Sequence, residues 1–220
     1  MSAEIYFISG IDTGVGKTFV TGYLAKQMAL AGQRVITQKL VQTGNQDHSE
    51  DIQQHREIMG ATEFEQDRSK LTMPEIFSYP ASPHLAARID GRSIDLEKIQ
   101  QATAQLAESF EVVLIEGAGG LMVPLSDSLL LIDYVFAQQY PVILVSSGRL
   151  GSINHTILSL EALRQRGITL HALAYNLYDQ SDDPVIRTDT AQYLKNYLAL
   201  HFPAALWIDI PCYNQADRSV

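Results

Sequence analysis

The run Gly10-Ile11-Asp12-Thr13-Gly14-Val15-Gly16-Lys17-Thr18 has the composition of a phosphate cradle. Glycines carry no Cβ, so the backbone can wrap an anion closely. Consecutive N–H groups and the positive end of a following helix then face the charge. Lys17 would reach the outer phosphates of a nucleotide, and the Thr18 hydroxyl would ligate Mg²⁺. The run follows the apolar Ile5-Tyr6-Phe7-Ile8 and opens a helical pattern from Phe19 to Leu30, the strand–loop–helix setting of a P-loop. Five residues, where the standard pattern has four, separate Gly10 from the Gly16-Lys17 pair. This is a variant P-loop.

Further chemistry-bearing residues stand where other apolar runs end. The second run leads through Gln38-Lys39-Leu40-Val41-Gln42-Thr43-Gly44, and Lys39 should project near the edge that carries Lys17. A second lysine there could neutralise a transferring phosphoryl group. A solvated loop lysine is the equal alternative. His48, Glu50, Asp51 and His55 come next. Ser49 or Asp51 as a helix N-cap is the simpler reading of that segment, and a Mg²⁺ carboxylate at Asp51 is the functional one. His48 and His55 lack the i, i+4 spacing of a helical metal pair, so no metal role is expected of them.

Val112-Val113-Leu114-Ile115-Glu116 runs straight into Gly117-Ala118-Gly119-Gly120. An apolar strand ending in an acid matches the second half of a P-loop site, where the carboxylate holds Mg²⁺ directly or through water. An acid there is costly without a partner. A helix is expected to begin near Ser152, after Gly148-Arg149-Leu150-Gly151. Its free N–H groups could bind a carboxylate, or Ser152 could only cap it. Asn176 ends a further strand, where its amide could read a base edge or shape a turn. The last strand leads into Pro211-Cys212-Tyr213-Asn214.

The elements that must position these residues alternate regularly. Strands are expected at Ile5–Ser9, Arg34–Leu40, Val112–Glu116, Pro141–Ser146, Leu170–Asn176 and Leu206–Ile210, each rich in Val, Ile and Leu. Helices are expected at Lys17–Leu30, Asp51–Met59, Asp95–Phe110, Leu129–Gln139, Ser152–Arg166 and Pro184–Leu200. Gly32 and Gly167 stand just past two of them, as C-terminal caps do. Alternation of this kind implies a single α/β domain over residues 1–220, with a mostly parallel central sheet and helices on both faces. The stretch Arg68–Arg92 has no period and carries Pro74, Pro80 and Pro83, so an irregular insertion is expected there. Ligands in such sheets bind beyond the carboxyl ends of the strands, which is where the residues above stand.

Bulk properties narrow the function classes. The 220 residues suffice for one sizeable core. The formal charge of −9 argues against nucleic acid or an anionic membrane as partner. Cys212 is the one cysteine, so no internal disulfide forms. The N-terminus has no basic region followed by a long apolar core, and no apolar run approaches the roughly 18 residues of a membrane span. A cytoplasmic protein is expected.

Taken together, the strand ends resemble dethiobiotin synthetase, the ATP-dependent carboxylase family of biotin synthesis. The resemblance rests on the P-loop pattern G-x-D-T-x-V-G-K-T, on Lys39 with Thr43-Gly44, and on Ser82-Pro83-His84. It extends through Glu116-Gly117-Ala118-Gly119-Gly120, Pro124-Leu125, Leu150-Gly151 and Ile153-Asn154-His155, and covers nearly the whole chain. It implies a P-loop NTPase fold, Mg²⁺ as cofactor and ATP as co-substrate. The other substrates would be 7,8-diaminopelargonic acid and CO₂. Thr18, Asp51 and Glu116 would hold Mg²⁺. Thr13, Gly14, Val15, Gly16, Lys17, Thr18 and Phe19 would hold the triphosphate, with Gly117, Ala118 and Gly119 beside it. Lys39 would be catalytic, with Lys17 and Thr13, and Thr43 would contact the diamine. Asn176, Leu177, Pro211, Cys212 and Tyr213 would surround the adenine. The family is a homodimer, and Gly151, Ser152, Ile153 and Asn154 of one subunit, with Tyr193, would hold the substrate's tail carboxylate across the interface.

Two positions depart from that pattern. Many members carry an acid where this chain has Gly14, and Asp12 is the nearby carboxylate that could stand in for it. Lys39 is usually followed by Pro; Leu40 leaves the loop less rigid. A regulatory or partitioning-type P-loop ATPase is the alternative, but the extra lysine such switches use near the loop's start is absent from Ser9-Gly10-Ile11-Asp12. A glutamine-amidotransferase synthetase would need a nucleophilic cysteine in its own domain, and Cys212 stands in no such motif.

Overall fold

The computed structural model describes residues 3–212. Six strands form one sheet: β1 (Glu4–Gly10), β2 (Val35–Lys39), β5 (Val112–Gly120), β6 (Val142–Gly148), β7 (Leu170–Gln180) and β8 (Leu206–Ile210). Their order is β2-β5-β1-β6-β7-β8, and every neighbouring pair is parallel. β6 is buried throughout and β5 from Val112 to Gly117, which is why they read as unbroken apolar runs rather than alternating ones.

The helices are α1 (Lys17–Leu30), α2 (Glu50–Met59), α3 (Glu65–Arg68), α4 (Pro83–Ile89), α5 (Leu96–Ser109), α6 (Leu131–Gln138), α7 (Ser152–Gln165) and α8 (Pro184–His201). They cover both faces, and β2 shows how. Successive strand residues point to opposite sides. Thr37 bonds to His55 of α2, while Gln38 accepts from Thr103 of α5. The chain moves from β1 outward to β2, then later crosses from β5 over β1 to β6. The sheet therefore reverses direction at β1, and the crevice beyond the carboxyl end of that strand is the expected ligand site. The P-loop lies there.

Two expectations need correction. The strand expected to end at Glu116 does not stop there: β5 continues through the glycine run to Gly120, which pairs with Gly10 of β1. A Cβ on Gly120 would lie 3.2 Å from the Gly10 carbonyl, so small residues let the two strands stay together past the acid. The insertion Arg68–Arg92 is not irregular. It contains α4, started by Pro83 in its first turn, and β4 (Ile76–Phe77), which pairs in parallel with β3 (Gln42–Thr43). Its missing period reflects elements too short to repeat. Glu75, buried at its centre, is paired with Arg92 at 2.5 Å and Lys98 at 3.1 Å. Among the described residues no helix is long and apolar enough to cross a membrane.

Candidate active site

Between β1 and α1 the chain turns through Gly14 (φ +77°) and Gly16 (φ +96°), backbone conformations that favour glycine. Gly16 caps α1 without a side-chain hydrogen bond, so no capping side chain of that residue occupies the helix N-terminus. Lys17 is buried and donates back to the Asp12 carbonyl at 3.2 Å. Burial pulls its ammonium down to about 8. Phe19 is half-buried and stacks on Tyr23.

β2 and β5 run in register with Lys39 opposite Glu116, so both side chains emerge on the same face at the same level. Lys39 Nζ pairs with Asp51 at 2.5 Å and Glu116 at 2.8 Å, and it is 6% exposed. Lys39 is thus not a solvated loop lysine: it holds two carboxylates in the interior. Burial pushes the Lys39 ammonium down, but the two carboxylates outweigh it and raise it above its ordinary value. Burial likewise pushes Glu116 up, and the Lys39 charge with the His55 hydrogen bond brings it well below the carboxylate range. Both groups are charged.

Ser49, not Asp51, caps α2; its Oγ accepts from Ile52 N at 3.1 Å. This leaves the Asp51 carboxylate free to face the P-loop. Thr18 Oγ1 donates to Asp51 Oδ1 at 3.0 Å and lies 3.1 Å from Glu116 Oε1. A hydroxyl and two carboxylates thus converge beside the open end of α1. Hard oxygen donors around a position already shared with an ammonium suit Mg²⁺. Among the described residues no group of three or more His, Cys, Asp and Glu could hold a metal, so phosphates and water would supply the remaining ligands, as is usual for this ion.

His55 is the residue that sequence spacing missed. It is fully buried, with Nε2 2.7 Å from Glu116 Oε2 and Nδ1 3.0 Å from Thr37 Oγ1. His48 is not its partner; Thr37 and Glu116 are. The usable signal was Asp51-x-x-x-His55, whose i, i+4 spacing puts both residues on the face of α2 that meets the site.

Val15 lies within the P-loop and Gly119 beside it, where a Cβ would come 3.5 Å from Thr13 Oγ1, whereas Gly117 faces Phe7 and Leu131 inside the fold, with Ala118 between the two glycines on β5. Asn176 is buried at the other side of the loop; its Nδ2 donates to the Val15 carbonyl at 2.9 Å, and its Oδ1 accepts from Tyr178 N. Cys212 Sγ contacts the Leu177 carbonyl at 3.4 Å, so Leu177, Pro211 and Cys212 gather at the ends of β7 and β8. Tyr213 lies outside the described residues. Thr43 is half-buried in β3. Gly151 (φ +94°) caps α7, so Ser152 is not the cap; its Oγ is buried without a partner among the described residues. Tyr193 is half exposed on α8. Asp12 does not stand in for an acid at position 14. Its carboxylate accepts from Thr13 N at 2.7 Å and pairs with Arg149 at 2.5 Å.

Comparison with known proteins places this geometry. The family described as "AAA domain" matches residues 4–202. The chain is 47% identical over 205 residues to ATP-dependent dethiobiotin synthetase BioD 2 of Pasteurella multocida, covering 93% of this chain and 96% of that one. It is 50% identical over 200 residues to ATP-dependent dethiobiotin synthetase BioD of Chlorobaculum tepidum, covering 90% and 84%. Among solved structures, chloroplast FtsY of Physcomitrella patens aligns with a TM-score of 0.54 at 16% identity, over 94% of this chain and 57% of that one, which is a likeness of fold.

Proposed function

Since the chain belongs to the ATP-dependent dethiobiotin synthetase family, and is thus an ATP-using ligase, we propose that it closes the ureido ring of dethiobiotin on 7,8-diaminopelargonic acid, with CO₂ as carbon source and Mg²⁺ as cofactor. The observation that carries the reading is the convergence of Lys17, Lys39, Thr18, Asp51 and Glu116 at the carboxyl ends of β1, β2 and β5.

CO₂ adds to one amine of the substrate, whose proton passes to solvent, to give a carbamate. The carbamate's negative charge, shared by its two oxygens, makes its carbon a poor electrophile. One of its oxygens therefore attacks the γ-phosphorus of ATP, and ADP leaves. The second amine then attacks the carbonyl carbon of the mixed anhydride, expels phosphate and closes the ring, with its proton passing to solvent. Alignment and charge neutralisation carry most of such catalysis. The P-loop amides from Thr13 to Phe19 hold the triphosphate, and Lys17 and Lys39 spread the charge on the transferring group. Thr18, Asp51 and Glu116 would hold Mg²⁺, which would neutralise the phosphate oxygens. Thr43 orients the diamine. Asn176, Leu177, Pro211 and Cys212 flank the base. The Gly151–Asn154 helix start and Tyr193 hold the tail carboxylate in a homodimer.

The test is direct. Purified protein with ATP, Mg²⁺, ¹³C-bicarbonate and the diamine should yield dethiobiotin one mass unit heavier, with one ADP per product. ATP hydrolysis indifferent to the diamine would instead favour a regulatory ATPase.

A further inference from the structure

Behind Glu116 lies a buried set of polar side chains that the proposed reaction does not use. Arg56 is held by Asp67 through two bonds, Nε to Oδ2 at 2.9 Å and Nη2 to Oδ1 at 2.8 Å. Asp67 is itself fixed by Thr72 Oγ1 at 2.7 Å and Phe64 N at 2.9 Å. Arg56 Nη1 donates to Thr37 Oγ1 at 2.7 Å. Arginine can only donate, so the Thr37 oxygen accepts there and its own hydrogen is free. His55 Nδ1 lies 3.0 Å away and takes that hydrogen when the ring carries its proton on Nε2. An accepting Nδ1 leaves the ring proton on Nε2, which lies 2.7 Å from Glu116 Oε2, a carboxylate that can only accept. Every bond in the series points the same way.

We propose that Arg56, Thr37 and His55 form a one-directional hydrogen-bond chain that locks the side chain of Glu116, with His55 as the positioning residue. The chain occupies Oε2 and turns Oε1 toward Thr18 and Lys39. The two oxygens have divided tasks: one is anchored to the fold, and the other faces the reacting groups. Groups of this kind behind a metal ligand fix its orientation, and their loss commonly weakens metal binding tenfold or more. The inference rests on the proposed reading of Glu116 as a Mg²⁺ ligand.

Two variants separate orientation from packing. His55→Leu fills the volume and removes the donor. His55→Gln places an amide N–H near the position of Nε2 and restores it. Mn²⁺ binding to the protein with ADP, followed by loss of the free-ion electron paramagnetic resonance signal, should weaken about tenfold in His55→Leu and recover to within about threefold of the parent in His55→Gln. Binding by His55→Leu within about twofold of the parent overturns the proposal, as does a Gln variant no better than Leu. Glu116→Gln is the reference: if it too leaves Mn²⁺ binding unchanged, the ligand reading falls along with the positioning role, whereas weakened binding there with unchanged binding in His55→Leu removes His55 alone. Should the Leu variant not fold, ¹⁵N resonances of the unmodified protein still decide. Nδ1 without a proton and Nε2 with one is expected for His55; a proton on Nδ1 overturns the chain.

Discussion

The pair Arg56–Asp67 gives this molecule a specific acid sensitivity. Burial pushes the Asp67 carboxyl up, but two bonds from Arg56, with those from Thr72 and Phe64 N, outweigh it and hold the carboxyl below the ordinary 3.8. The folded protein therefore binds this proton more weakly than the unfolded chain does. The stabilisation is complete above pH 3.8 and is lost as pH falls through the folded value. Asp67→Asn removes that component and leaves Arg56 buried without its charge partner, at a cost of roughly 3–5 kcal/mol at neutral pH. Thermal unfolding from pH 7 to pH 3 should show the parent converging toward the variant at the acid end; parallel curves would mean the pair contributes nothing. Such pairs were not legible in the sequence, because Arg56 and Asp67 sit in separate helices whose approach no local pattern encodes. Lys39 was undecided for the same reason: its neighbours Asp51 and Glu116 are distant in the chain. The P-loop was legible because its nine residues carry their own geometry.

Helices α1 and α2 meet over Gly22, and that contact brings Asp51 and His55 to the P-loop. A Cβ on Gly22 would stand 3.0 Å from Ile58 and 3.2 Å from the His55 backbone. Gly22→Ala would gain about 1 kcal/mol of helix propensity and lose a similar amount to crowding, so its unfolding temperature should stay near the parent's. Gly22→Val has no such compensation. Overpacking of about 2 kcal/mol corresponds to a drop of roughly 4–8 °C for a chain of this size, and α2 should shift outward with Asp51. A Val variant that unfolds with the parent would show that the two helices do not need this close approach. Among the elements, long ones were legible and short ones were not. β1, α1, β6 and α7 lie within a few residues of their expected limits, because apolar periodicity accumulates over length. β3, β4 and α4 span seven residues or fewer and depend on partners elsewhere, as Thr43 with Phe77 shows. Register was also hidden. Only pairing with Gly10 reveals why β5 runs on through Gly120.

At the scale of the whole molecule, the proposed homodimer would divide the site between two copies of the chain. Lys39, Asp51 and Glu116 belong to one group of residues, joined by direct contacts. Gly151–Asn154 and Tyr193 form no hydrogen bond or ion pair with that group among the described residues, and Leu150 beside them is 80% exposed. If the tail carboxylate is held across a twofold interface, two lesions of different kind can be sorted into separate sites. Lys39→Gln should retain nucleotide binding and lose turnover. Asn154→Ala should retain the phosphoryl site and bind the diamine poorly. In a mixed dimer one site then collects both lesions and the other collects neither. Random reassortment makes about half of all dimers mixed, each with one intact site, so activity should rise from near zero to about a quarter of the parent's. Co-refolding the two inactive variants and measuring dethiobiotin formation tests this. A site contained in one chain predicts no recovery at any mixing ratio, because every chain would carry its own lesion. Recovery also requires that dimers form at all, and sedimentation of the mixture distinguishes an unshared site from a monomer.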